Sequence, residues 1–286
     1  MFSGNSKFAS DIRNIIETVS KQTSSILLYG EYGTGKKLFA QNVHCRRCGS
    51  FKTFFDINCR TMDSEIIKNV FSNINKCESG SKITIFLNYT NLLSLEEQKL
   101  LQMLLSSVRI DLSVQIISSS IENLEILKER NEFRSDLLHK LNSLVLQFLP
   151  LRQRKEDILP IATFYCDKFK KESGNCFIGF SESSVSILEN NFWNGNCDEL
   201  INAIQRAFIV NQKPGEKLII PSDLGLGNPY DDLEDKSLKN ALDTFKRDFL
   251  IKVLNENGWN QTKVSKILGI QRTYVIRLMN ELHIRR

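Results

Sequence analysis

No apolar run in the chain approaches the roughly 18 residues that a membrane span needs. The opening Met1-Phe2-Ser3-Gly4-Asn5 has neither the basic start nor the apolar stretch of a signal peptide. A cytoplasmic protein without a membrane partner is therefore expected. A disulfide framework is lacking too: Cys45, Cys48, Cys59, Cys77, Cys166, Cys176 and Cys197 are an odd number, widely spread, and read as reduced thiols. Prolines number only five, and neither they nor the frequent Asn, Ile and Lys carry a functional message. Strong net charge is also missing. The 38 Lys plus Arg against 33 Asp plus Glu leave +5, too little to mark a nucleic-acid binder unless it is concentrated. What is present is 286 residues, 41% apolar and 25% charged, which excludes disorder and fibre and suggests two domains with room for a small third.

The charge is in fact concentrated. From Lys236 onward there are 11 basic and four acidic residues, so the last 51 residues carry +7 and the other 235 carry −2. Such asymmetry points to a nucleic-acid-binding end. Charge alone leaves open a merely solvated helical surface.

Short β-rich runs occur at residues 25–29, 54–57, 83–87 and 114–117, separated by helical patterns at 36–44, 64–71 and 95–105. Alternation of this kind predicts a three-layer α/β domain on a largely parallel sheet over 1–150. After Pro150 the strands are expected to stop, and helices at 156–170, 181–190 and 197–210 form a small all-α unit over 151–212. A Pro-, Gly- and Asp-rich linker over 213–236 then leads to a third domain at 237–286.

Two segments carry chemistry. Gly30-Glu31-Tyr32-Gly33-Thr34-Gly35-Lys36-Lys37 matches G-x-x-x-x-G-K between a strand and a helix, failing only at the final Ser or Thr. Glycines let such a loop turn its backbone N–H groups toward phosphates at a helix N-terminus, and Lys36 can reach the β and γ phosphates. Lys37 stands where many such loops place the hydroxyl that ligates magnesium. A glycine turn that holds nothing is the competing reading.

In the third domain, Leu238, Leu242, Phe245, Phe249, Val253 and Leu254 recur at helical spacing and read as core, of this chain or of a dimer. A turn, a short helix ending near Leu268 and a helix over 271–282 follow. Val275, Met279 and Leu282 point inward on that last helix, leaving Arg272, Thr273, Tyr274 and Arg277 outward, as a helix-turn-helix presents residues to double-stranded DNA. A three-helix docking module would not need both arginines on one outward face.

The stretch Phe133-Arg134-Ser135-Asp136-Leu137-Leu138-His139-Lys140-Leu141-Asn142, with Leu149-Pro150-Leu151-Arg152-Gln153-Arg154-Lys155-Glu156-Asp157-Ile158, resembles the AAA+ domain of the sigma-54-dependent transcription activators, the bacterial enhancer-binding proteins. The same resemblance takes in the phosphate loop, Ile57-Asn58-Cys59, Trp193 through Leu200 as W-x-G-N-x-x-E-L, and a C-terminal Fis-type helix-turn-helix. It implies an AAA+ P-loop domain with its lid, ATP with or without Mg²⁺ as cofactor, assembly into a dimer or ring, and sigma-54 RNA polymerase as partner.

The departures from the family's pattern fall on its working parts. Asn88 and Tyr89 stand where the resemblance implies an Asp and a Glu, Ile121 where it implies a sensing Asn, Asp198 where it implies an arginine, and Lys140 for the second of two finger arginines. Arg134, the first, remains, and the resemblance implies that it acts on a neighbouring subunit. A tyrosine cannot serve as a carboxylate base near neutral pH, and loss of a general base costs about 10²–10⁴ in rate. Between Arg60 and Lys82 there is no Gly-Ala-Phe-Thr-Gly-Ala, the loop that the resemblance implies for touching sigma-54, and a receiver domain is not expected ahead of the AAA+ part.

His44-Cys45-Arg46-Arg47-Cys48 lacks the second ligand pair that zinc needs, so no metal site is expected. His44, Cys59 and Trp193 are read as packing residues, and Arg152 and Arg154 as orienting the corner between domains. The expectation is a sequence-specific DNA-binding transcription regulator whose AAA+ module binds ATP and hydrolyses it poorly. The alternatives are an active ATPase that drives sigma-54 polymerase, and a regulatory partner that forms hetero-oligomers with an intact relative.

Overall fold

The computed structural model describes residues 3–61, 63–173, 177–210, 217–226, 238–282 and 284. Met1, Phe2, Cys176, 213–216 and 227–236 of the expected linker, Ser237, Arg285 and Arg286 lie outside the described residues, as do the side chains of Leu238, Lys239 and Lys252. The chain divides into two compact units at Ile219.

In the first unit, helix α1 (Lys7–Val19) leads into strand β1 (Ile26–Tyr29) and helix α2 (Lys36–Cys48). Then β2 (Phe54–Asn58), α3 (Ser64–Asn75), β3 (Lys82–Asn88), α4 (Leu95–Ser106) and β4 (Ser113–Ser120) alternate, before α5 (Leu124–Glu129), α6 (Ser135–Leu141) and β5 (Leu144–Gln147). The five strands order as β2-β3-β4-β1-β5. Every neighbouring pair is parallel.

The strands are apolar on both faces because both are covered. Ile26, Leu28, Phe86 and Ile117 pack under α1 and α2 against Ile12, Ile16, Phe39 and Val43. Leu27, Ile83, Ile85 and Leu87 turn the other way, onto α3 and α4 through Ile67, Phe71, Ile74 and Leu101. The period of two along each strand thus builds two cores from one sheet. The three-layer α/β architecture is as expected. Strand β5 and helix α1 are additions. At the sheet edge β5 alternates half-buried and exposed positions, which leaves a weak apolar signal. Helix α1 buries only four residues, Ala9, Ile12, Ile16 and Val19, and is capped by the Ser6 hydroxyl, which accepts from Ala9 N–H.

Beyond Pro150 come helices α7 (Ile158–Ser173), α8 (Glu182–Asn190) and α9 (Asn196–Val210), with β6 (Phe177–Phe180) and β7 (Lys217–Ile219) forming a two-stranded parallel sheet. The strands therefore do not stop at Pro150. The stretch read as linker is also not all linker, since β7 closes the lid and α10 (Pro221–Leu224) opens the second unit. Both are too short, at three and four residues, to stand out by period.

The second unit continues with α11 (Leu238–Glu256), α12 (Gln261–Leu268) and α13 (Arg272–Glu281) around Leu250, Val253, Leu254, Val264 and Val275. Only the lower part of the expected stripe is core. Leu242, Phe245 and Phe249 stay about half exposed, and the two Phe rings stack at 5.9 Å.

Candidate functional site

Between β1 and α2 the phosphate loop folds around its glycines. Gly33, at φ 70°, lies so close beneath the lid that an added Cβ would come 2.2 Å from the carbonyl of Gly195. Gly35 takes the left-handed conformation that starts α2. Thr34 Oγ1 donates to the Glu31 carbonyl at 2.9 Å, and Lys36 Nζ donates to the carbonyls of Gly30 and Glu31, both at 2.6 Å. Only 6% of Lys36 is exposed. Burial pushes its pKa down to about 8, against the opposing charges of Asp198 and Glu31. A desolvated ammonium at a helix N-terminus is a place for an anion.

The lid seats on the backbone of this loop. Cys197 N–H donates to the Gly33 carbonyl at 2.9 Å. Asn196 Nδ2 donates to the Tyr32 carbonyl at 2.8 Å and to Glu31 Oε2 at 3.2 Å, while its Oδ1 accepts from Leu151 N–H at 2.7 Å. Arg154 Nη2 donates to the Thr34 carbonyl at 2.8 Å, and its guanidinium stands 4.9 Å over the Phe8 ring. Arg154 also lies 3.7 Å from Asp157, whose carboxylate accepts the N–H and hydroxyl of Ser6, each at 2.7 Å. Arg152 pairs with both carboxylate oxygens of Glu31, which holds that carboxyl below the usual range. Both arginines orient the corner between the domains, as expected.

Across the cleft the strand ends carry the substituted residues. Asn88 Oδ1 accepts from the Ser119 hydroxyl at 2.6 Å, and Tyr89 N–H donates to Ser119 Oγ at 3.1 Å. Tyr89 takes φ 63°, a conformation uncommon for a bulky side chain, and its ring packs 5.2 Å from Tyr32. Ile121 presents an apolar side chain, and its N–H donates to Asn91 Oδ1 at 3.3 Å. Asp198, in the first turn of α9, has its carboxyl raised by burial and drawn back by Lys36.

A cleft of about 500 Å³ brings Gly33, Thr34, Gly35, Lys36 and Lys37 together with Asn88, Tyr89 and Asp198. Gly30, Glu31, Tyr32 and Arg134 are not among its lining residues. Glu31 is turned to Arg152 and Asn196. Arg134 stands at the N-cap position of α6, half-exposed, with Nε and Nη2 on the two oxygens of Asp136. Lys140 Nζ donates to Ser106 Oγ at 2.9 Å, away from the cleft.

One wall of the site carries no motif. Ile161, Phe164, Tyr165 and Lys168 line the cleft from one face of α7, at the helical spacing of three and four that could have flagged them. The loop end of the cleft suits phosphates, and the two positions at which the family's pattern implies metal ligands are otherwise engaged. Lys37 is paired with Asp56 at 2.6 Å, the amide oxygen of Asn88 is taken by Ser119, and the described residues hold no group of three or more His, Cys, Asp or Glu suited to a metal.

The other residues singled out in the sequence are packed. His44 is fully buried with its ring nitrogens on Thr84 Oγ1 at 2.8 Å and the Ser50 carbonyl at 2.7 Å. Burial pushes the Cys59 thiol up to about 12. Trp193 is buried in the lid with its indole N–H on the Leu188 carbonyl at 2.8 Å.

In the second unit Asn260 caps α12, its Oδ1 accepting from Thr262 and Lys263 N–H at 3.1 Å, and Gly269 ends it in the left-handed conformation. On α13, Val275 is buried while Arg272, Thr273, Tyr274 and Arg277 are exposed. The Arg277 guanidinium lies 5.0 Å over the Tyr274 ring and 3.2 Å from Glu281. Among the described residues no helix is long and apolar enough to cross a membrane.

Residues 3–151 match the sigma-54 interaction domain, 152–227 an AAA+ ATPase lid domain, and 232–282 the Fis family of bacterial regulatory proteins. The chain is 26% identical to the transcriptional regulatory protein ZraR of Klebsiella oxytoca over 94% of its own length and 66% of that protein's. It is 28% identical to the Nif-specific regulatory protein of Azotobacter vinelandii, covering 95% of the chain and 57% of the relative. It thus spans less than two thirds of these relatives. Among solved structures, NtrX from Brucella abortus in complex with ADP superposes with a TM-score of 0.66 at 22% identity, over 99% of this chain and 69% of NtrX. A Thermotoga maritima RuvB mutant gives 0.53 at 12% identity, over 95% and 84%.

Proposed function

For a chain that belongs to the sigma-54 interaction domain family, we propose a DNA-binding transcription regulator that holds an adenine nucleotide in the cleft and turns it over slowly or not at all. The observation that carries this reading is the split within one cleft: Lys36 and the glycine loop are intact, while Asn88 and Tyr89 supply no carboxylate base and Asp198 supplies no cation. Structures of NtrX in complex with ADP and with ATP support nucleotide binding in a protein of the same fold. Steady-state phosphate release by the purified chain is the test. Release at roughly 1–10³ per second, as in ordinary enzymes, abolished by Lys36→Ala, would overturn the slow-turnover reading.

Double-stranded DNA is the partner assigned to α13. Its exposed Arg272, Thr273, Tyr274 and Arg277 sit on a helix whose opposite side is anchored by Val275, as major-groove readout requires. A footprint unchanged by Arg272→Ala with Arg277→Ala would sink that assignment. Self-association is supported by Leu242, Phe245 and Phe249, an exposed apolar row on α11 that a second copy can cover.

A second reading rests on Arg134. It is half-exposed and not among the residues that line the chain's own cleft, which supports a role at a neighbour's cleft in a mixed ring with an intact relative. Co-purification with such a relative, lost on Arg134→Ala, would favour it. The stretch from Arg60 to Lys82 gives sigma-54 RNA polymerase no Gly-Ala-Phe-Thr-Gly-Ala loop to meet, so direct remodelling of that polymerase is not proposed.

A further inference from the structure

We propose that the phosphate end of the cleft selects a nucleoside diphosphate over a triphosphate and holds it without a divalent cation, with Asp198 setting the choice. This rests on the reading that the cleft binds a nucleotide. The base of the Asp198 side chain is placed by backbone. Cys197 N–H is bonded to the Gly33 carbonyl at 2.9 Å, and a methyl added to Gly33 would come 3.3 Å from Asp198 Cβ. Asp198 therefore stands beside Gly33 of the phosphate loop, among the residues that line the cleft with Lys36.

Each other cation of the cleft has an acidic neighbour. Lys37 is paired with Asp56 at 2.6 Å, Arg154 lies 3.7 Å from Asp157, and Lys168 lies 4.0 Å from Glu172. Lys36 has no such ion pair among the described residues, and Asp198 lines the same cleft and acts on its charge. One more phosphate brings more negative charge toward the Asp198 carboxylate. Phosphoryl-transfer sites offset that charge with magnesium. Here the two positions that would carry the metal hold an ammonium and an amide whose oxygen accepts from Ser119. The diphosphate keeps the loop's N–H groups and Lys36 while avoiding the added repulsion.

Calorimetric titration of the full chain with ADP and with ATP, each with Mg²⁺ and with a chelator, tests this. The expected result is ADP about tenfold or more tighter than ATP, with Mg²⁺ moving either affinity less than about twofold. Asp198→Arg should bring the two affinities within about twofold, and Asp198→Asn, which keeps the side chain's shape, should narrow the ratio by about threefold or more even if the arginine variant does not fold. Equal binding of ADP and ATP by the unaltered chain overturns the selection and leaves nucleotide binding standing. Binding of neither removes the underlying reading and this one with it. A ratio unmoved by both variants overturns the role of Asp198, and a large gain in ATP affinity with Mg²⁺ overturns metal independence.

Discussion

The loop at 30–36 and the strand ends at 88–89 and 119–121 belong to one α/β domain yet have fared differently. The loop works mainly through backbone: its glycines set the path, it leads into the N-terminus of α2, and Lys36 is its one charged side chain in the cleft. The strand ends work through side chains, and there an amide, a phenol and an isoleucine replace charged or polar groups that the family's pattern implies. A backbone site survives the exchange of most of its residues, whereas a side-chain site fails with one. On the proposed function binding and turnover are separable, and the lid sides with binding, because Cys197, Asn196 and Arg154 each tie it to a carbonyl of the loop.

The sharpest way to break that contrast is to rebuild the changed side. Asn88→Asp with Tyr89→Glu and Asp198→Arg is expected to raise phosphate release by roughly 10² or more, as the return of a base and an electrostatic group implies. An unchanged rate would place the block elsewhere. Damage to the loop comes next: Lys36→Ala should weaken nucleotide binding by about a hundredfold, read by calorimetry, because it removes a charge-assisted contact. Gly33→Ala should cost about 2 kcal/mol of stability, seen as a lower melting temperature, since its Cβ would meet the Gly195 carbonyl at 2.2 Å with φ at 70°. The smallest effect is in pH. The free protein keeps Lys36 charged below a pKa of about 8 and neutral above it, so affinity for phosphates should fall as pH rises through that value, by about tenfold per unit at most. A flat profile from pH 7 to 9.5 would show that the ammonium is not what the phosphates meet.

Much of this was legible in the residues. The phosphate loop, four of the five strands and the two last helices announce themselves by period or by spacing, and Arg272 through Arg277 separate from Val275 by helical arithmetic alone. What escaped did so for physical reasons. Strand β5 is an edge strand with alternate positions exposed, and β7 is three residues long. Asn196 is polar and ordinary in sequence, yet it is fully buried at φ 54° and bonds Leu151, Tyr32 and Glu31 across the domain corner. Long-range polar ties of that kind have no period. The row Leu242, Phe245 and Phe249 shows the converse: the period is plain, but whether it is covered within one chain depends on the partner.

Single-turnover chase with γ-labelled ATP, the protein in excess, tests the separation of binding from turnover most directly. Label that stays in bound ATP over many minutes, and is lost from the protein with Lys36→Ala, is the expected result. Stoichiometric release of labelled phosphate within seconds would contradict it.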